Sequence, residues 1–70
     1  MSNKMRVTEI PYPASGKRKF SVIYNGNEYI CYTHPFMAPG YSVSQLVAKD
    51  GSYKDITGTL LASEIFLNCR

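Results

Sequence analysis

The stretch KFSVIYNGNEYICYT, residues 19–33, decides the fold of this 70-residue chain. Two runs rich in β-branched and aromatic residues flank Asn25-Gly26, the dipeptide that a type I′ turn prefers because both of its central residues adopt positive φ. The stretch therefore predicts a β-hairpin. A two-residue loop would pair Tyr24 with Asn27, and a four-residue loop is the alternative.

The two faces of this hairpin differ in chemistry, and both registers give the same faces because they share the same parity. The more apolar face, which we predict to form the core, carries Phe20, Val22, Tyr24, Tyr29 and Cys31. The other face carries Lys19, Ser21, Ile23, Glu28, Ile30 and Tyr32. The sequence leaves open whether a second copy of the chain covers this second face.

The segment before the hairpin predicts one strand. Residues 4–10 alternate apolar and polar side chains. Pro11 and Pro13 end this strand because proline cannot donate a hydrogen bond to a neighbouring strand and restricts the residue before it.

The segments after the hairpin each allow two interpretations. We interpret SVSQLVA and SYKDIT as two strands joined across Asp50-Gly51, and a short helix capped by Ser42 is the alternative. TLLASEIFLNC spaces its apolar residues by three and four, which predicts a short helix with Thr59 as its cap, and a final strand is the alternative.

Together these elements predict a predominantly β domain of the α+β type. We expect residues 1–70 to form a single small domain: an antiparallel meander or barrel-like sheet of about four or five strands with one short C-terminal helix. A single core of this size supplies a stability margin of roughly 3–5 kcal/mol, so association with a partner or a second copy would add materially to stability.

The sequence also predicts the cellular compartment of the protein. No segment approaches the ~20 apolar residues of a membrane span, and the N-terminal residues MSNKMRVTEIPYP lack the apolar run of a secretory signal. We therefore expect a cytoplasmic protein that does not associate with membranes, with its two cysteines, Cys31 and Cys69, as reduced thiols.

The sequence offers little for catalysis or metal binding. Its only histidine, His34, follows Cys31 in a C-x-x-H arrangement, but a Cys/His nucleophile also needs an orienting group and an oxyanion hole, and no local motif supplies either. Adding Cys69 gives three zinc ligands, whereas a structural zinc site uses four. No glycine-rich phosphate loop is present. We expect no catalytic residue, no metal and no cofactor, and hence no enzymatic activity.

The net charge of +3 comes from the first half of the chain, where a basic run precedes the hairpin. Readers of single-stranded nucleic acids combine cations that follow the phosphates with aromatic side chains on which bases stack. Lys17, Arg18, Lys19 and Tyr32 therefore form a predicted site for DNA or RNA, with weak and strongly salt-dependent binding. The alternative is that the basic run is a solvated loop that protects an edge strand.

The segment THPFMAPGYS, residues 33–42, places Phe36 and Met37 between two prolines. A loop tip is usually polar, so these side chains either cover an open end of the core or face a partner. Aromatic residues and Met are enriched in interface cores, and a proline-stiffened loop loses less entropy on docking. The predicted contact surface consists of Phe36, Met37, Tyr41, Arg18 and Lys19. Its two cations would steer an acidic partner.

Small size and the lack of chemical apparatus favour a stand-alone, non-catalytic binding protein. Such a protein modulates or inhibits another protein by occupying its surface, as accessory factors of phages and other mobile elements do. The protein partner is not identified by the sequence, which is also compatible with a homodimer. A small basic nucleic-acid-binding protein is the alternative.

Overall fold

Five antiparallel strands and one helix make up the computed structural model, which describes residues 5–13, 16–34 and 40–69. The elements are β1 (Arg6–Ile10), β2 (Arg18–Tyr24), β3 (Asn27–Thr33), β4 (Tyr41–Leu46), β5 (Tyr53–Asp55) and α1 (Leu60–Cys69). Each strand pairs with the next one along the chain, so β1 and β5 form the two edges of an open sheet. The predicted α+β meander is confirmed, in its open rather than its barrel-like form.

The hairpin of β2 and β3 has the two-residue loop. Tyr24 pairs with Asn27, and the loop residues Asn25 and Gly26 have φ angles of 52° and 77°. Positive φ at both positions is the requirement of a type I′ turn, whose twist matches that of the flanking strands. The Asn-Gly signal therefore predicted the turn and its register correctly.

Strands β4 and β5 confirm the strand interpretation of this region, but their connection is longer than Asp50-Gly51. Val47 N–H donates to the Ser52 carbonyl at 3.0 Å and Gly51 N–H to the Ala48 carbonyl at 3.1 Å. Within the loop, the Asp50 carboxylate accepts hydrogen bonds from the Ser52 amide at 3.0 Å and the Ser52 hydroxyl at 2.6 Å. Val47 and Ala48, which we predicted in the strand, thus belong to the connection.

The core lies between one face of the sheet and α1. Its buried residues are Phe20, Val22, Tyr29, Cys31, Val43, Ala62, Ile65 and Cys69. The predicted core face of the hairpin is confirmed: four of its five members are in this set, and Tyr24 packs against it while partly buried.

The helix begins at the predicted cap. The Ala62 amide donates to Thr59 Oγ1 at 3.1 Å, which satisfies one of the free N–H groups of the first turn. Ala62, Ile65 and Cys69, spaced by three and four, form its buried face. Among the described residues, no helix has the length and apolar character needed to cross a bilayer.

A side chain completes the pairing of β4 at the point where β5 ends. The amide of the buried Val43 donates to Thr57 Oγ1 at 3.0 Å, and its carbonyl accepts from the Ile56 amide at 2.9 Å. Asp55 holds this threonine in place by accepting hydrogen bonds from its amide at 2.9 Å and its hydroxyl at 2.6 Å. The backbone N–H and C=O of Val43 therefore have partners on the side where β5 has already ended.

Candidate functional site

The face of the sheet opposite α1, which we call the open face, is covered by no element within the described part of the chain. Strand register arranges its side chains in three rows. The middle row is Thr8, Ser21, Ile30, Ser44 and Asp55, and one outer row is Ile10, Lys19, Tyr32 and Ser42. The other outer row is Arg6, Ile23 and Glu28, and the pair Leu46 and Tyr53 lies at the same end.

The centre of the open face carries one large apolar side chain. Ile30 lies in the middle of it, directly between the short side chains of Ser21 and Ser44. At its edge, Ile23 is 44% exposed and Tyr53 is 48% exposed. Scattered apolar residues are normal on a protein surface, but a sheet face that carries several of them and has no covering element among the described residues is a candidate interaction surface.

Positive and negative charges on the open face lie on different strands. Arg6 and Lys19 lie on β1 and β2, whereas Glu28 and Asp55 lie on β3 and β5. Hydrogen bonds from the Thr57 hydroxyl and amide lower the pKa of Asp55, so this carboxyl is ionised at neutral pH. Two cations thus face two carboxylates across the same surface.

An aromatic corner joins the open face at the outer row that contains Lys19. The rings of Tyr12 and Tyr32 meet edge to face with centroids 5.5 Å apart, and Lys19 Nζ lies 5.7 Å from the centroid of Tyr32. The nearby Lys17 shares a small cleft with Tyr12. Tyr12 was not among the predicted site residues. Pro11 and Pro13, which flank it, were interpreted only as the end of the first strand.

The structure separates the two cations that the sequence analysis grouped. Arg18 lies on the face opposite to Lys19 because neighbouring residues of a strand point to opposite sides. Its guanidinium forms two hydrogen bonds of 2.8 Å with the carboxylate of Glu9 and lies 5.1 Å from the Phe20 ring centroid. These hydrogen bonds raise the pKa of Arg18 and lower that of Glu9. The charge of Arg18 is therefore already paired within the chain.

The remaining members of the predicted contact surface also fall in different places. Tyr41 is partly buried on the helix side, where its ring stacks on Phe66 with centroids 4.6 Å apart and an interplanar angle of 13°. Phe36 and Met37 lie outside the described residues. The structure thus brings Lys19 together with Tyr32 on the open face, and places Arg18 and Tyr41 on the other side of the sheet.

The C-x-x-H residues do not form an exposed nucleophile. Cys31 is fully buried, and the Cys69 thiol and burial both raise its pKa. The Nδ1 atom of His34 is buried and has no hydrogen-bond partner among the described residues. No group of three or more His, Cys, Asp or Glu side chains able to hold a metal ion occurs within residues 5–13, 16–34 and 40–69.

A cleft of about 460 Å³ opens at the C-terminal end of α1, on the helix side of the sheet. Arg18, Thr33, Phe66 and Cys69 are among the side chains that line it. The cleft also reaches Gly16 and Gly40, which adjoin segments outside the described residues. We assign it no ligand.

Comparisons with known proteins gave no match: no protein-family model, no curated protein and no solved structure is significantly similar to the chain.

Proposed function

We propose that the chain is a non-catalytic binding protein whose open face docks on a complementary surface of another protein. The observation that carries this proposal is the pairing of an apolar centre at Ile30 with a balanced set of charges around it. Interfaces between proteins commonly combine an apolar, well-packed core with a polar rim.

The charge balance favours a protein over a nucleic acid as the occupant. Nucleic acids present a uniform array of phosphates and favour a surface with excess positive charge. On the strands of the open face, Glu28 and Asp55 offset Arg6 and Lys19, and Lys17 at the aromatic corner adds a single positive charge. We therefore expect a partner with an apolar centre, acidic groups opposite the cations and basic groups opposite the carboxylates.

This proposal changes the membership of the predicted contact surface. Lys19 remains a binding residue, whereas the charge of Arg18 is satisfied by Glu9 and the ring of Tyr41 is used in packing against α1. The contribution of Phe36 and Met37 stays a prediction. We further propose that the protein acts in the cytoplasm as an accessory factor of the kind found in phages and other mobile elements.

Affinity capture with matched variants tests the proposal. A tagged wild-type chain, an Ile30→Glu variant and a Leu60→Glu variant are incubated with native lysate after nuclease treatment, and bound proteins are identified by mass spectrometry. The two variants introduce the same charge, but Leu60 is 90% exposed on α1, away from the open face. We expect one stoichiometric protein on wild type and Leu60→Glu and none on Ile30→Glu. Equal capture by all three chains would contradict the proposal.

Single-stranded nucleic acid is the second candidate, and the aromatic corner favours it. Tyr12 and Tyr32 offer ring surfaces beside Lys19, the combination on which bases stack while lysines contact phosphates. With Lys17 and Lys19 as the contacting cations, log K should fall with log salt with a slope of about −1.4.

Fluorescence anisotropy with a labelled oligonucleotide measures this binding across salt concentrations. If the corner binds nucleic acid, Tyr32→Ala weakens binding at every salt concentration, whereas Lys19→Gln also flattens the slope. Arg18→Gln is the control, because its guanidinium is already bound to Glu9. Binding that is unaffected by Tyr32→Ala would eliminate this candidate.

A further inference from the structure

We infer that Cys31 and Cys69 are joined in a reversible disulfide when the chain meets a peroxide, and that the oxidant reacts first with Cys69. The inference goes beyond the proposed function because it concerns the helix side of the sheet rather than the open face. It follows from the contact between the two side chains, from the cleft beside Cys69 and from the difference in burial between the two thiols.

The fold brings the two cysteines of the chain together across the core. Cys31 lies in the middle of β3, with the buried Phe20 and Val43 beside it on the neighbouring strands. Cys69 is the last member of the buried face of α1, and this helix packs on β3 and β4. A disulfide places its two Cβ atoms about 3.5–4.5 Å apart. Because helix ends fray readily, the last turn of α1 supplies the small adjustment that joins two thiols already in contact.

The cleft at the C-terminal end of α1 brings a small oxidant to one thiol before the other. Cys69 and Thr33 both line this space of about 460 Å³. Thr33 is the next residue of β3 on the same face as Cys31, so Cys31 lies one position behind the cleft. Cys69 is 5% exposed, whereas Cys31 is fully buried. A peroxide therefore reaches Cys69 as soon as the last helical turn opens.

The contact between the thiols assigns them different chemical roles. A hydrogen bond from Cys31 lowers the pKa of Cys69 against the opposing effect of burial. The interaction with Cys69, together with burial, raises the pKa of Cys31. Because the thiolate is the form that attacks an oxidant, Cys69 is the attacking residue and Cys31 is the residue that resolves the product.

The reaction proceeds in two balanced steps. The Cys69 sulfur attacks one oxygen of hydrogen peroxide, so an S–O bond forms, the O–O bond breaks, and the departing hydroxide leaves as water with the thiol proton. The Cys31 sulfur then attacks the sulfenic acid, so the S–S bond forms, the S–O bond breaks, and a second water leaves with the Cys31 proton. Two electrons pass from the thiols to the peroxide. A dithiol reductant reverses the change by thiol–disulfide exchange.

The disulfide ties the end of α1 to the central strand of the sheet. The closed loop includes β4, β5 and the helix itself. A cross-link over a long loop restricts the unfolded chain, so the oxidised form should have a Tm higher by roughly 10 °C or more. Disulfides in a reducing compartment are usually transient and redox-sensing, which agrees with reduced thiols as the resting state.

Mass spectrometry of the native chain after treatment with hydrogen peroxide tests the inference. Remaining thiols are alkylated in denaturant. The wild type should lose two hydrogen atoms in mass, take up no alkyl group and yield a peptide that joins Cys31 to Cys69. Cys31→Ala should stop at a sulfenic acid on Cys69, which dimedone labels. Cys69→Ala should keep an unoxidised Cys31 under the same conditions.

The rate of disulfide formation shows whether the folded chain is the reactant. Well below the urea transition this rate should be nearly independent of urea, because only the last turn of α1 has to open. A rate that rises in proportion to the unfolded fraction overturns the inference. So does a wild type that keeps one or both thiols open to alkylation, or a disulfide that links two chains and doubles the mass of 7.9 kDa. These measurements on the wild type need no substitution in the core.

Discussion

Thr57 has a larger effect on stability than its place in a surface loop suggests. Its hydroxyl is the acceptor for the amide of Val43, a fully buried core residue, at 3.0 Å. In a Thr57→Val variant the side-chain shape is kept while this acceptor is lost. A buried donor left without a partner costs about 1–3 kcal/mol. We expect a loss of about 2 kcal/mol, which is about half of the margin of roughly 3–5 kcal/mol of a domain this small.

Urea unfolding followed by far-UV circular dichroism measures this loss as a lower transition midpoint with an unchanged slope. In thermal unfolding, Tm should fall by roughly 8–16 °C, because each kcal/mol corresponds to about 4–8 °C in a domain of this size. Thr57→Ser is the matched control, since it keeps the hydroxyl and should lie close to the wild type. Equal midpoints for Thr57→Val and the wild type would refute the reasoning, and so would a Thr57→Ser variant as unstable as Thr57→Val.

Three further predictions concern the helix and the acidic residues. Ile65→Ala leaves a cavity in the core and should cost about 2–5 kcal/mol, whereas Ile65→Val should cost about 0.5–1.5 kcal/mol; a difference below about 0.5 kcal/mol between the two variants in urea unfolding would show that the site collapses. Leu60→Glu adds an acidic residue to a first turn that has none and should raise stability by about 0.3–1 kcal/mol, measured as a higher urea midpoint. Hydrogen bonds lower the pKa of Asp50 and Asp55 in the folded chain, so their stabilisation is complete above the ordinary aspartate pKa of about 4 and is lost as pH falls through the lowered values. Asp55→Asn should therefore reduce the loss of stability below pH about 4 in an acid titration, and an unchanged profile would contradict this assignment.

Local signals in the sequence predicted most of the fold. Asn25-Gly26 sets the hairpin and its register because few other residues tolerate two successive positive φ angles. Thr59 and the three-to-four spacing after it predict the helix, whose buried face follows that spacing. The β4–β5 connection was predicted less well. Its geometry depends on the Asp50 carboxylate that organises Ser52, and many loop lengths accommodate an Asp-Gly pair.

The candidate site was harder to predict because it depends on which side chains share a face across several strands. The alternation along the hairpin already placed Lys19, Ile30 and Tyr32 together, but the basic run drew Arg18 into the same predicted site. Strand parity places Arg18 on the opposite face, and the carboxylate of Glu9 on β1 binds its guanidinium, so Arg18 does not belong to this site. In the observed strand order, β1 and β4 lie on either side of the hairpin and extend the face that carries Ile23 and Ile30. Sequence patterns alone do not specify that order.

Cys31 and Cys69 are free thiols that meet in the core, so their reaction with a labelling reagent measures partial unfolding of the chain. Cys69 is the last residue of α1, so detachment of the end of the helix exposes its thiol to a labelling reagent. Cys31 lies in the middle of the central strand, so we expect its thiol to react more slowly than that of Cys69. The rates at which the two thiols react, distinguished by the masses of their peptides, therefore give separate opening free energies for the helix terminus and for the whole core. The measurement uses the natural cysteines, so no substitution is needed.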